Sequence, residues 1–483
     1  MFFLCVALWL LPSPPALSDA LEQDIHISSG FADQFESCYS TAPLQLIQFD
    51  RSQFSGGLYS GRELTTDKLD TFSTFFEKYI FQPNVGSVGD LRDPTKALAK
   101  DIHAILRTSQ QVLRQHTGDR SLIIRNYTVG YSHLNARRGS RYILHLVSTS
   151  STRTFRHDTV AIRRTLDGNC SISLRESPPA VFDKPMFVVV PYSKRPTRLE
   201  WFLDQFEKLH SEEVNARLIL AHCNEDESDR KNVEKLVSRA KRRDYVQVSR
   251  IPFKRNSTFS RAVCIREAFK GVPDNNLVFI SDIDMYIYPK MLESCRLNSI
   301  QGSQVYFPVF YSLYPGQERI EKGSGYWRTT SYGMSCIYKS DFDAVGAYYK
   351  AEDRFVGWGG EDLVLRDAFL NHANYELFRA VEPALRHKWH PKNCDRTLLS
   401  YQDCISIRFQ QLGDPVFLGK VLMERDIDVQ SIVAQHFDDD TTLESTFNSS
   451  STRLTDIRPP NTVNEMTEER HANVHRTTKD EQN

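Results

Sequence analysis

From Met186 onward the sequence alternates short apolar runs with amphipathic segments, and this alternation constrains the fold more than any other feature. The runs FVVVP, RLILA and LVFIS read as strands, and RLEWFLDQFEKLH, NVEKLVSRAKRR and SRAVCIREAFKG have helical periodicity. Strands that are apolar on both faces are typical of parallel sheets covered by helices on both sides. The sequence therefore predicts an α/β domain with a Rossmann-like, mostly parallel sheet.

Ligands of such sheets bind beyond the carboxyl ends of the strands, and two strand ends here carry chemistry. The basic segment YSKR follows the first strand, whereas Asp282 and Asp284 follow the strand LVFIS. The pattern D-x-D also occurs at 341–343, 426–428 and 438–440, but only the 282–284 pair directly follows an apolar strand. Alternate residues at a strand end share a face, so both carboxylates can approach one Mg²⁺ or Mn²⁺ beside a diphosphate. For an isolated pair, a solvated strand end is the favoured alternative.

The segment RFVGWGGEDLVLRDAFL combines glycines, an indole and two carboxylates. Trp358, Gly359 and Gly360 come directly before Glu361 and Asp362, which open a predicted helix. Glycine lets the backbone approach a ligand closely, an indole can stack on a sugar ring, and a carboxylate here can accept a proton from a hydroxyl. The alternative is an acidic helix start after an ordinary glycine-rich loop.

The segment RHKWHPKNCD places His387 and His390 three residues apart. Neutral imidazole is a good ligand for Mn²⁺. Two histidines near a tryptophan are more often structural when nothing else indicates a metal, but the acidic pair already requires further ligands. The sequence therefore predicts that the two histidines complete a metal site.

In chain order, FISDIDMYIYP, GMSCIYKSDFDAVGAY, FVGWGGEDLVL and RHKWHPKNCD resemble the chondroitin N-acetylgalactosaminyltransferases, a branch of the β-1,4-galactosyltransferase-like GT-A superfamily. The resemblance implies an inverting, metal-dependent enzyme. It would move N-acetylgalactosamine from UDP-GalNAc in β-1,4 linkage to a glucuronic acid-ended chondroitin or linkage-region acceptor. Two alternatives stay open: a related enzyme with another donor and acceptor, and a weakly active partner subunit of a chondroitin polymerase.

The resemblance also implies roles for individual residues. The implied ligands of Mn²⁺, or of another divalent cation, are Asp284, His390 and His387. Asp362 is the implied catalytic base and Glu361 an acceptor of a sugar hydroxyl. The implied donor-binding residues are Pro191, Arg195, Phe259, Arg261 and Asp282, and the acceptor-side residues are Trp358, Gly359 and Gly360. Candidates for binding an anionic acceptor are Lys322, Arg328, Lys388 and Lys392, although solvated surface charge is the favoured reading for any one of them.

The ends of the chain differ from its middle. An apolar leader followed by prolines predicts a signal peptide or truncated signal-anchor over 1–19, with a buried strand as the alternative. Residues 20–180 are predicted to form a stem or accessory region of α+β type, with a helix in 91–116 and strands at 141–150 and 157–166. Residues 186–436 are the predicted GT-A domain, and the polar segment 437–483 is a predicted disordered tail.

Two features favour the secretory pathway. Sequons for N-glycosylation occur at Asn126, Asn169, Asn256 and Asn448. Beyond the leader, eight scattered cysteines without a C-x-x-C pair fit a few disulfides of unknown connectivity. With the resemblance, these features predict a glycoprotein of the Golgi lumen, either a type II single-pass membrane protein or a lumenal form with the leader removed.

Charge limits the class of partner. The chain has 60 Lys plus Arg and 61 Asp plus Glu, which excludes a protein that works by bulk attraction to nucleic acid. A local basic cleft is compatible with this balance because opposite patches cancel in the sum. The expected partners are a UDP-sugar donor, a glycosaminoglycan or proteoglycan acceptor and other chondroitin synthases, with no nucleic acid.

Overall fold

The structure is a computed structural model. It describes residues 47–48, 70–76, 78–83, 89–90, 97–135, 139–151, 156–164, 170–176, 183–223, 226–239, 244–251, 259–349, 351, 355, 359–392, 394, 396, 401–413 and 423. The helices are α1 (Ala97–Thr117), α2 (Pro196–Glu212), α3 (Glu227–Val237), α4 (Arg261–Phe269), α5 (Pro289–Asn298), α6 (Lys339–Val345), α7 (Glu361–Asn371) and α8 (Tyr401–Gln410).

The strands fall into three sheets. The first nine are β1 (Ile47–Gln48), β2 (Ser73–Phe75), β3 (Tyr79–Phe81), β4 (Gly89–Asp90), β5 (Ile123–Asn135), β6 (Gly139–Thr149), β7 (Arg156–Arg164), β8 (Cys170–Glu176) and β9 (Met186–Tyr192). Then come β10 (Ala216–His222), β11 (Val246–Arg250), β12 (Leu277–Ile280), β13 (Met285–Ile287), β14 (Gln304–Tyr306), β15 (Val309–Leu313), β16 (Gly325–Trp327), β17 (Ser335–Tyr338), β18 (Glu376–Phe378) and β19 (Val381–His387).

The central sheet has seven strands in the order β11-β10-β9-β12-β17-β14-β18. All of them except β17 run in the same direction, because β17 is antiparallel to both of its neighbours. The strands β9, β10 and β12 are almost entirely buried. The prediction of an α/β domain with a mostly parallel sheet is confirmed.

Side-chain alternation along β9 and β10 divides the core into two layers. Val188 and Val190 pack with residues of α2, α3 and α5 on one face of the sheet. Val189 and Ile219 pack with residues of α4, α6 and α7 on the other face. Because every second residue of a strand faces the same side, a strand without polar residues needs cover on both sides. The helices supply that cover.

The strand order reverses beside β9, which is where a ligand site is expected in such a sheet. After β9 the chain adds β10 and β11 on one side, and β12 then joins on the other side. The pairing of β12 with β9 ends at Ile280 and Val189, so Pro191 and the loop after it extend past the end of β12. Asp282 and Asp284 lie between β12 and β13, where the chain leaves the central sheet for a four-stranded sheet of order β13-β19-β15-β16.

The N-terminal region forms an eight-stranded sheet of order β1-β8-β7-β6-β5-β2-β3-β4. Helix α1 packs on it through Ile102, Ile105 and Leu113. The predicted helix and both predicted strands are present, and the region is of α+β type as expected. This sheet shares a core with one layer of the central sheet, because Phe72, Val129 and Tyr131 belong to the same buried cluster as Val188.

Helix α3 is longer at its start than the sequence predicts. Helix α3 begins at Glu227, five residues before the segment predicted to be helical, because the Asp226 side chain accepts hydrogen bonds from the backbone N–H groups of Ser228 and Asp229.

No helix among the described residues is long and apolar enough to cross a membrane. The predicted leader and the predicted tail lie outside the described residues. Residues 415–483 form a separate unit in which only Met423 is described.

Three disulfides are present among the described cysteines. They join Cys223 to Cys264, Cys295 to Cys336 and Cys394 to Cys404. The expectation of a few disulfides is confirmed. Of the four sequons, Asn126 lies exposed on β5, and the other three lie outside the described residues.

Candidate active site

Asp284, His387 and His390 form a cluster with the donor set of a metal site. The His390 Nε2 atom lies 2.9 Å from the Asp284 Oδ2 atom, and the His387 Nε2 atom lies 3.7 Å from the same oxygen. One potential ligand atom from each residue lies within 4.8 Å of the others. A carboxylate oxygen and two imidazole nitrogens suit Mn²⁺ or a similar cation and leave coordination positions for a diphosphate. The residues present fit the predicted metal.

Each histidine is oriented by its second ring nitrogen. The His387 Nδ1 atom lies 3.3 Å from the hydroxyl oxygen of Ser312, which is its register partner on β15. The His390 Nδ1 atom lies 3.0 Å from the carbonyl oxygen of Pro391, so this nitrogen is the donor. Such contacts fix the orientation of each ring. Both Nε2 atoms face Asp284.

Asp284 is positioned to remain ionised. It is buried, and its backbone carbonyl accepts a hydrogen bond of 2.8 Å from the Lys388 N–H group. Burial by itself would raise the pKa of Asp284, but the charges and hydrogen bonds of His387 and His390 outweigh it and hold this pKa well below its ordinary value. An ionised carboxylate is the form that binds a cation.

Arg261, the first residue of α4, joins the D-x-D segment to the acidic helix start. Its Nε atom donates to the Asp282 Oδ1 atom at 2.9 Å, and its Nη1 atom lies 3.6 Å from the Glu361 Oε1 atom. It also donates to the Gly333 carbonyl oxygen at 2.8 Å. Burial raises the pKa of Glu361, while the Arg261 charge acts in the opposite direction. The guanidinium group therefore holds two predicted site carboxylates in one arrangement.

Asp362 lies in the first turn of α7, as predicted, and is tied to a separate loop. Its Oδ2 atom accepts a hydrogen bond of 3.0 Å from the Tyr332 backbone N–H group. Gly359 and Gly360 precede the helix with φ values of 106° and 87°, a left-handed backbone that favours glycine. The two glycines thus turn the chain so that both carboxylates stand at the helix start. Trp358 lies outside the described residues.

The Tyr332 ring is packed between two guanidinium groups. The Arg379 group lies 4.0 Å and the Arg366 group 4.8 Å from the ring centroid. Arg379 is buried and donates to the carbonyl oxygens of Thr329 and Ser331. Burial lowers the pKa of Arg379 to about 10, so it stays protonated near neutral pH. These contacts immobilise the backbone that holds Asp362.

Basic side chains border the three candidate metal ligands and form a basic rim. Burial, followed by the charge of Arg328, lowers the pKa of Lys392 to about 8, and charges from Asp284, Asp282 and Arg195 also act on it. Lys392 and Arg328 were expected as acceptor-binding candidates, and both now belong to the surroundings of the metal cluster. Lys322, a third candidate, is exposed. The rim can neutralise an anionic group beside the metal.

The donor-side loop after β9 is held by a buried aspartate. Asp229 on α3 accepts a hydrogen bond from the Tyr192 hydroxyl at 2.8 Å and one from the Lys194 N–H group at 3.0 Å. Lys194 has a φ of 53°, which is unusual for a residue with a side chain. The His222 Nε2 atom lies 3.1 Å from the second carboxylate oxygen of Asp229. One side chain therefore fixes the course of the loop that carries Arg195.

Pro191, Asp282 and Asp284 lie at or just beyond the carboxyl ends of the neighbouring strands β9 and β12. Pro191 is buried at the end of β9, and Arg195 is exposed in the loop that follows it. Phe259 is partly buried against the second core layer. Sequence reasoning missed Ser312, Tyr332, Arg379 and Asp229. A polar residue inside the apolar strand VFYSL was the one available signal, and it indicated Ser312.

The fold, the acidic pair at its switch point and the acidic start of α7 define the chain as a GT-A glycosyltransferase. The model of the chondroitin N-acetylgalactosaminyltransferase family matches residues 55–418, and the protein belongs to this family. The resemblance expected from the sequence motifs is confirmed.

Curated relatives carry related names. The chain is 28% identical over 262 residues to human (Homo sapiens) chondroitin sulfate N-acetylgalactosaminyltransferase 2, covering 50% of this chain and 47% of the relative. It is 29% identical over 266 residues to human chondroitin sulfate N-acetylgalactosaminyltransferase 1, covering 50% and 48%. It is 26% identical over 265 residues to human chondroitin sulfate synthase 3, covering 51% and 29%. The match therefore spans less than half the length of each of these relatives.

Solved structures resemble the chain only distantly. The S. aureus TarS fragment 1–349 in complex with UDP-GlcNAc has a TM-score of 0.30 and 15% identity, and the match covers 43% of this chain and 59% of that one. Glucosyl-3-phosphoglycerate synthase from Mycobacterium tuberculosis, in complex with Mn²⁺, UDP and phosphoglyceric acid, has a TM-score of 0.29 and 12% identity, with coverage of 48% and 78%.

Proposed function

We propose that the protein is an inverting, metal-dependent N-acetylgalactosaminyltransferase. It moves N-acetylgalactosamine from UDP-GalNAc to a glucuronic acid-ended chondroitin or linkage-region acceptor and forms a β-1,4 linkage. The observation that carries the proposal is the meeting of two groups at one switch point. Asp284, His387 and His390 form the metal-binding set, and Glu361 and Asp362 open α7. Arg261 connects the two segments, because it pairs with Glu361 and with Asp282, two residues before Asp284.

The chain's own residues support a single displacement. Asp362, held by the Tyr332 N–H group, takes the proton from the acceptor 4-hydroxyl as that oxygen attacks the anomeric carbon. The bond between the anomeric carbon and the diphosphate breaks, and one displacement inverts an α-linked donor into a β product. A divalent cation bound at Asp284 would neutralise the charge of the leaving diphosphate. Lys392 and Arg328 add positive charge on the same side.

The names of the relatives support the choice of donor and acceptor. Chondroitin sulfate N-acetylgalactosaminyltransferases and chondroitin sulfate synthases are among the proteins that match. The three disulfides support an oxidising compartment, in agreement with a secretory, Golgi-lumenal location. The complete set of Asp284, Glu361, Asp362 and His390 favours an active enzyme over a weakly active partner subunit.

A donor and acceptor panel with the purified protein and Mn²⁺ tests the proposal. UDP-GalNAc and a glucuronate-ended oligosaccharide are expected to give product that carries a new β-1,4-linked sugar. Asp284→Ala and Asp362→Asn are each expected to lower kcat about 10³-fold, in the range seen when an essential acid–base or charge-stabilising group is removed. Asp343→Asn is the matched control, because Asp343 belongs to another D-x-D segment and is 53% exposed.

The outcomes separate the alternatives. Full turnover by both Asp284→Ala and Asp362→Asn contradicts the site assignment. Turnover with UDP-galactose and not with UDP-GalNAc favours the related enzyme with another donor. Absence of turnover with every donor, together with rescue of a chondroitin synthase's activity on mixing, favours the partner subunit.

A further inference from the structure

A row of aromatic rings and cations begins next to the metal cluster and runs away from it. We call it the aromatic–basic row, and it consists of Arg198, Trp201, Tyr286, Tyr288, Arg386 and Lys388. Helix α2 supplies the first two residues, and strands β13 and β19 with the residues that follow them supply the other four. No step of the proposed reaction is assigned to this row, and only Lys388 is among the sequence candidates for binding an anionic acceptor.

Each neighbour in the row contacts the next. The Lys388 Nζ atom lies 4.4 Å and the Arg198 guanidinium 5.6 Å from the centroid of the Trp201 ring. The Trp201 and Tyr286 rings meet edge to face at 4.9 Å. Tyr286 is the register partner of Arg386 on β19. The row is therefore continuous.

The far end of the row reaches an exposed ring. The Arg386 guanidinium lies 4.9 Å from the centroid of the Tyr288 ring, and Tyr288 is 40% exposed. The Lys388 end lies beside the metal cluster, because its N–H group donates to the Asp284 carbonyl oxygen. A ligand that follows the row from Tyr288 would thus reach the edge of the small sheet beside Asp284.

The row lies on the opposite face of the small sheet from His387. His387 pairs with Met285, whereas the adjacent pair joins Arg386 to Tyr286. Because neighbouring residues of a strand point to opposite faces, Arg386 and Tyr286 point away from the side that His387 occupies. The row is thus next to the active site but is not part of its walls.

The three cations of the row have no close ion pair with a carboxylate, although the charge of Glu318 acts on Lys388 from farther away. Among the described residues, no carboxylate lies within ion-pair distance of Arg198, Arg386 or Lys388. Arg386 donates to the backbone carbonyl of Glu318 at 3.2 Å, which does not remove its charge. Cations without a close ion pair, set beside half-buried rings, fit a ligand that carries negative charge and apolar faces.

We propose that the aromatic–basic row binds the interior of an anionic polysaccharide whose end occupies the active site, a proposal that rests on the proposed function. Sugar rings present C–H faces that stack on aromatic side chains, and uronate carboxylates pair with Arg and Lys. A polymer that alternates acidic and neutral sugars matches a surface that alternates cations and rings. The row would hold a long acceptor near the site between transfers.

Binding to non-sulfated chondroitin polymer, without UDP-sugar or metal, tests the row directly. Arg198→Ala and Arg386→Ala are each expected to weaken polymer binding about fivefold, and Trp201→Leu by a similar factor, because each removes one contact of ordinary strength. Trp201→Phe keeps an aromatic ring and is expected to retain most of the affinity. Lys208→Ala is the matched control, since Lys208 is an exposed cation on the same helix.

Turnover with acceptors of two lengths distinguishes the row from the active site. In the Arg198→Ala/Arg386→Ala variant, the KM for the polymer is expected to rise more than tenfold. The kcat and the KM for a tetrasaccharide are expected to stay unchanged, because a short acceptor does not reach the row. The melting temperature of each variant is measured alongside to exclude loss of folding.

Three results would overturn the row as a polysaccharide site. Unchanged polymer affinity in the double variant is the first. The second is an equal rise in KM for the tetrasaccharide and the polymer, which would make these residues part of the active site. The third is equal loss of binding to chondroitin and to poly-glutamate with no effect of Trp201→Leu, which would indicate a plain charge patch. Row-dependent polymer binding without turnover of any UDP-sugar would support the row and contradict the proposed function.

Discussion

The orientation of His387 depends on one buried hydroxyl group. Ser312 is fully buried, and its oxygen faces the His387 Nδ1 atom at 3.3 Å. Ser312→Ala removes this contact, so the ring can rotate and the metal site loses preorganisation. We expect the Mn²⁺ concentration that gives half-maximal activity to rise about tenfold, with activity largely restored at saturating metal. Initial rates measured against Mn²⁺ concentration give the answer.

Ser335→Ala is the control for that substitution. Ser335 is a buried serine on β17, and within the described part of the chain its hydroxyl has no hydrogen-bond partner. This variant is expected to keep the wild-type metal requirement. A similar shift in Ser312→Ala and Ser335→Ala would mean that general loosening of the core, rather than the orientation of His387, sets the requirement.

The charge of Arg261 affects the pH at which the Glu361 carboxyl group ionises. Burial already raises the pKa of Glu361, and the Arg261 guanidinium at 3.6 Å opposes that rise. In Arg261→Met the opposing charge is gone, so the pKa of Glu361 rises further and its anion forms only at higher pH. We therefore expect the acidic limb of kcat/KM to move to higher pH and the value at neutral pH to fall. A pH profile of kcat/KM measures both.

The control for Arg261 lies on the same helix. Arg266, five residues further along α4, pairs with Glu267 at 2.8 Å. Arg266→Met is expected to keep the wild-type pH profile, whatever it does to stability. An unshifted acidic limb in Arg261→Met would show that the ionisation of Glu361 does not limit the reaction.

At the scale of residues, sequence reasoning found groups that are recognisable by type and by place in a motif. Asp284, His390, Glu361 and Asp362 stand beside a strand end, in a spaced pair or after glycines. Ser312 acts through a neighbour 75 positions away in the chain. No local pattern encodes such a distant partner, so its role became visible only with the register of β15 against β19.

At the scale of elements, the donor-side loop depends on helix α3. Asp229 receives the Tyr192 hydroxyl and the Lys194 N–H group, so it holds the loop from outside. Asp229→Ala releases both donors and allows Lys194 to leave its left-handed backbone. We expect the KM for the UDP-sugar to rise about tenfold with a smaller change in kcat, because the loss of about two hydrogen bonds weakens donor binding. Steady-state kinetics with varied donor concentration provide the measurement.

Asp226→Ala is the control that distinguishes the loss of the loop contacts from a loss of stability in helix α3. Asp226 caps α3 by accepting from the backbone of Ser228 and Asp229, and its removal is expected to lower the unfolding free energy by about 1 kcal/mol. It leaves the Asp229 carboxylate in place, so the KM for the donor should not change. An increase in KM of the same size in both variants would assign the effect to the stability of α3 alone.

Element types were predictable, whereas contacts between elements were not. The apolar strands and the Ser260-capped helix α4 follow from periodicity and capping, which are local. Asp229 falls in a polar stretch, DESDRKN, which reads as an exposed helix start. Its burial comes from the ends of β9 and β10 packing over it, a tertiary fact that the polar stretch does not contain.

At the scale of the whole molecule, the N-terminal sheet is joined to the GT-A domain by buried polar contacts as well as by a shared core. Asn298, the last residue of α5, donates to the Tyr131 hydroxyl at 2.6 Å and lies 3.1 Å from the His145 ring. Arg175 donates to the Leu297 carbonyl oxygen at 2.7 Å. The sequence predicted an accessory region and a GT-A domain from their different patterns, but periodicity does not indicate which apolar faces share a core. Joined in this way, the two should unfold together.

Glu382 lies beside this interface and makes the stability of the molecule depend on pH. It is fully buried, the Tyr306 hydroxyl and the Ala384 N–H group donate to it, and burial raises its pKa to about 7. In the unfolded chain the pKa is near the ordinary value of 4.5. Between these two values the folded state binds more protons, so the unfolding free energy falls as pH rises from about 4.5 to about 7.

Glu382→Gln is expected to remove the decrease in unfolding free energy at higher pH, because an amide stays neutral at every pH. The amide also keeps an acceptor for the Ala384 N–H group. The variant should match the wild type near pH 5 and be more stable at pH 8 by up to about 3 kcal/mol, the free energy of a shift of this size. Urea unfolding at both pH values measures the difference, with Glu212→Gln as an exposed control. An equal stability difference at pH 5 and pH 8 would mean that Glu382 is ionised throughout this range. Its carboxylate would then be stabilised by the contacts of Tyr306 and Ser294.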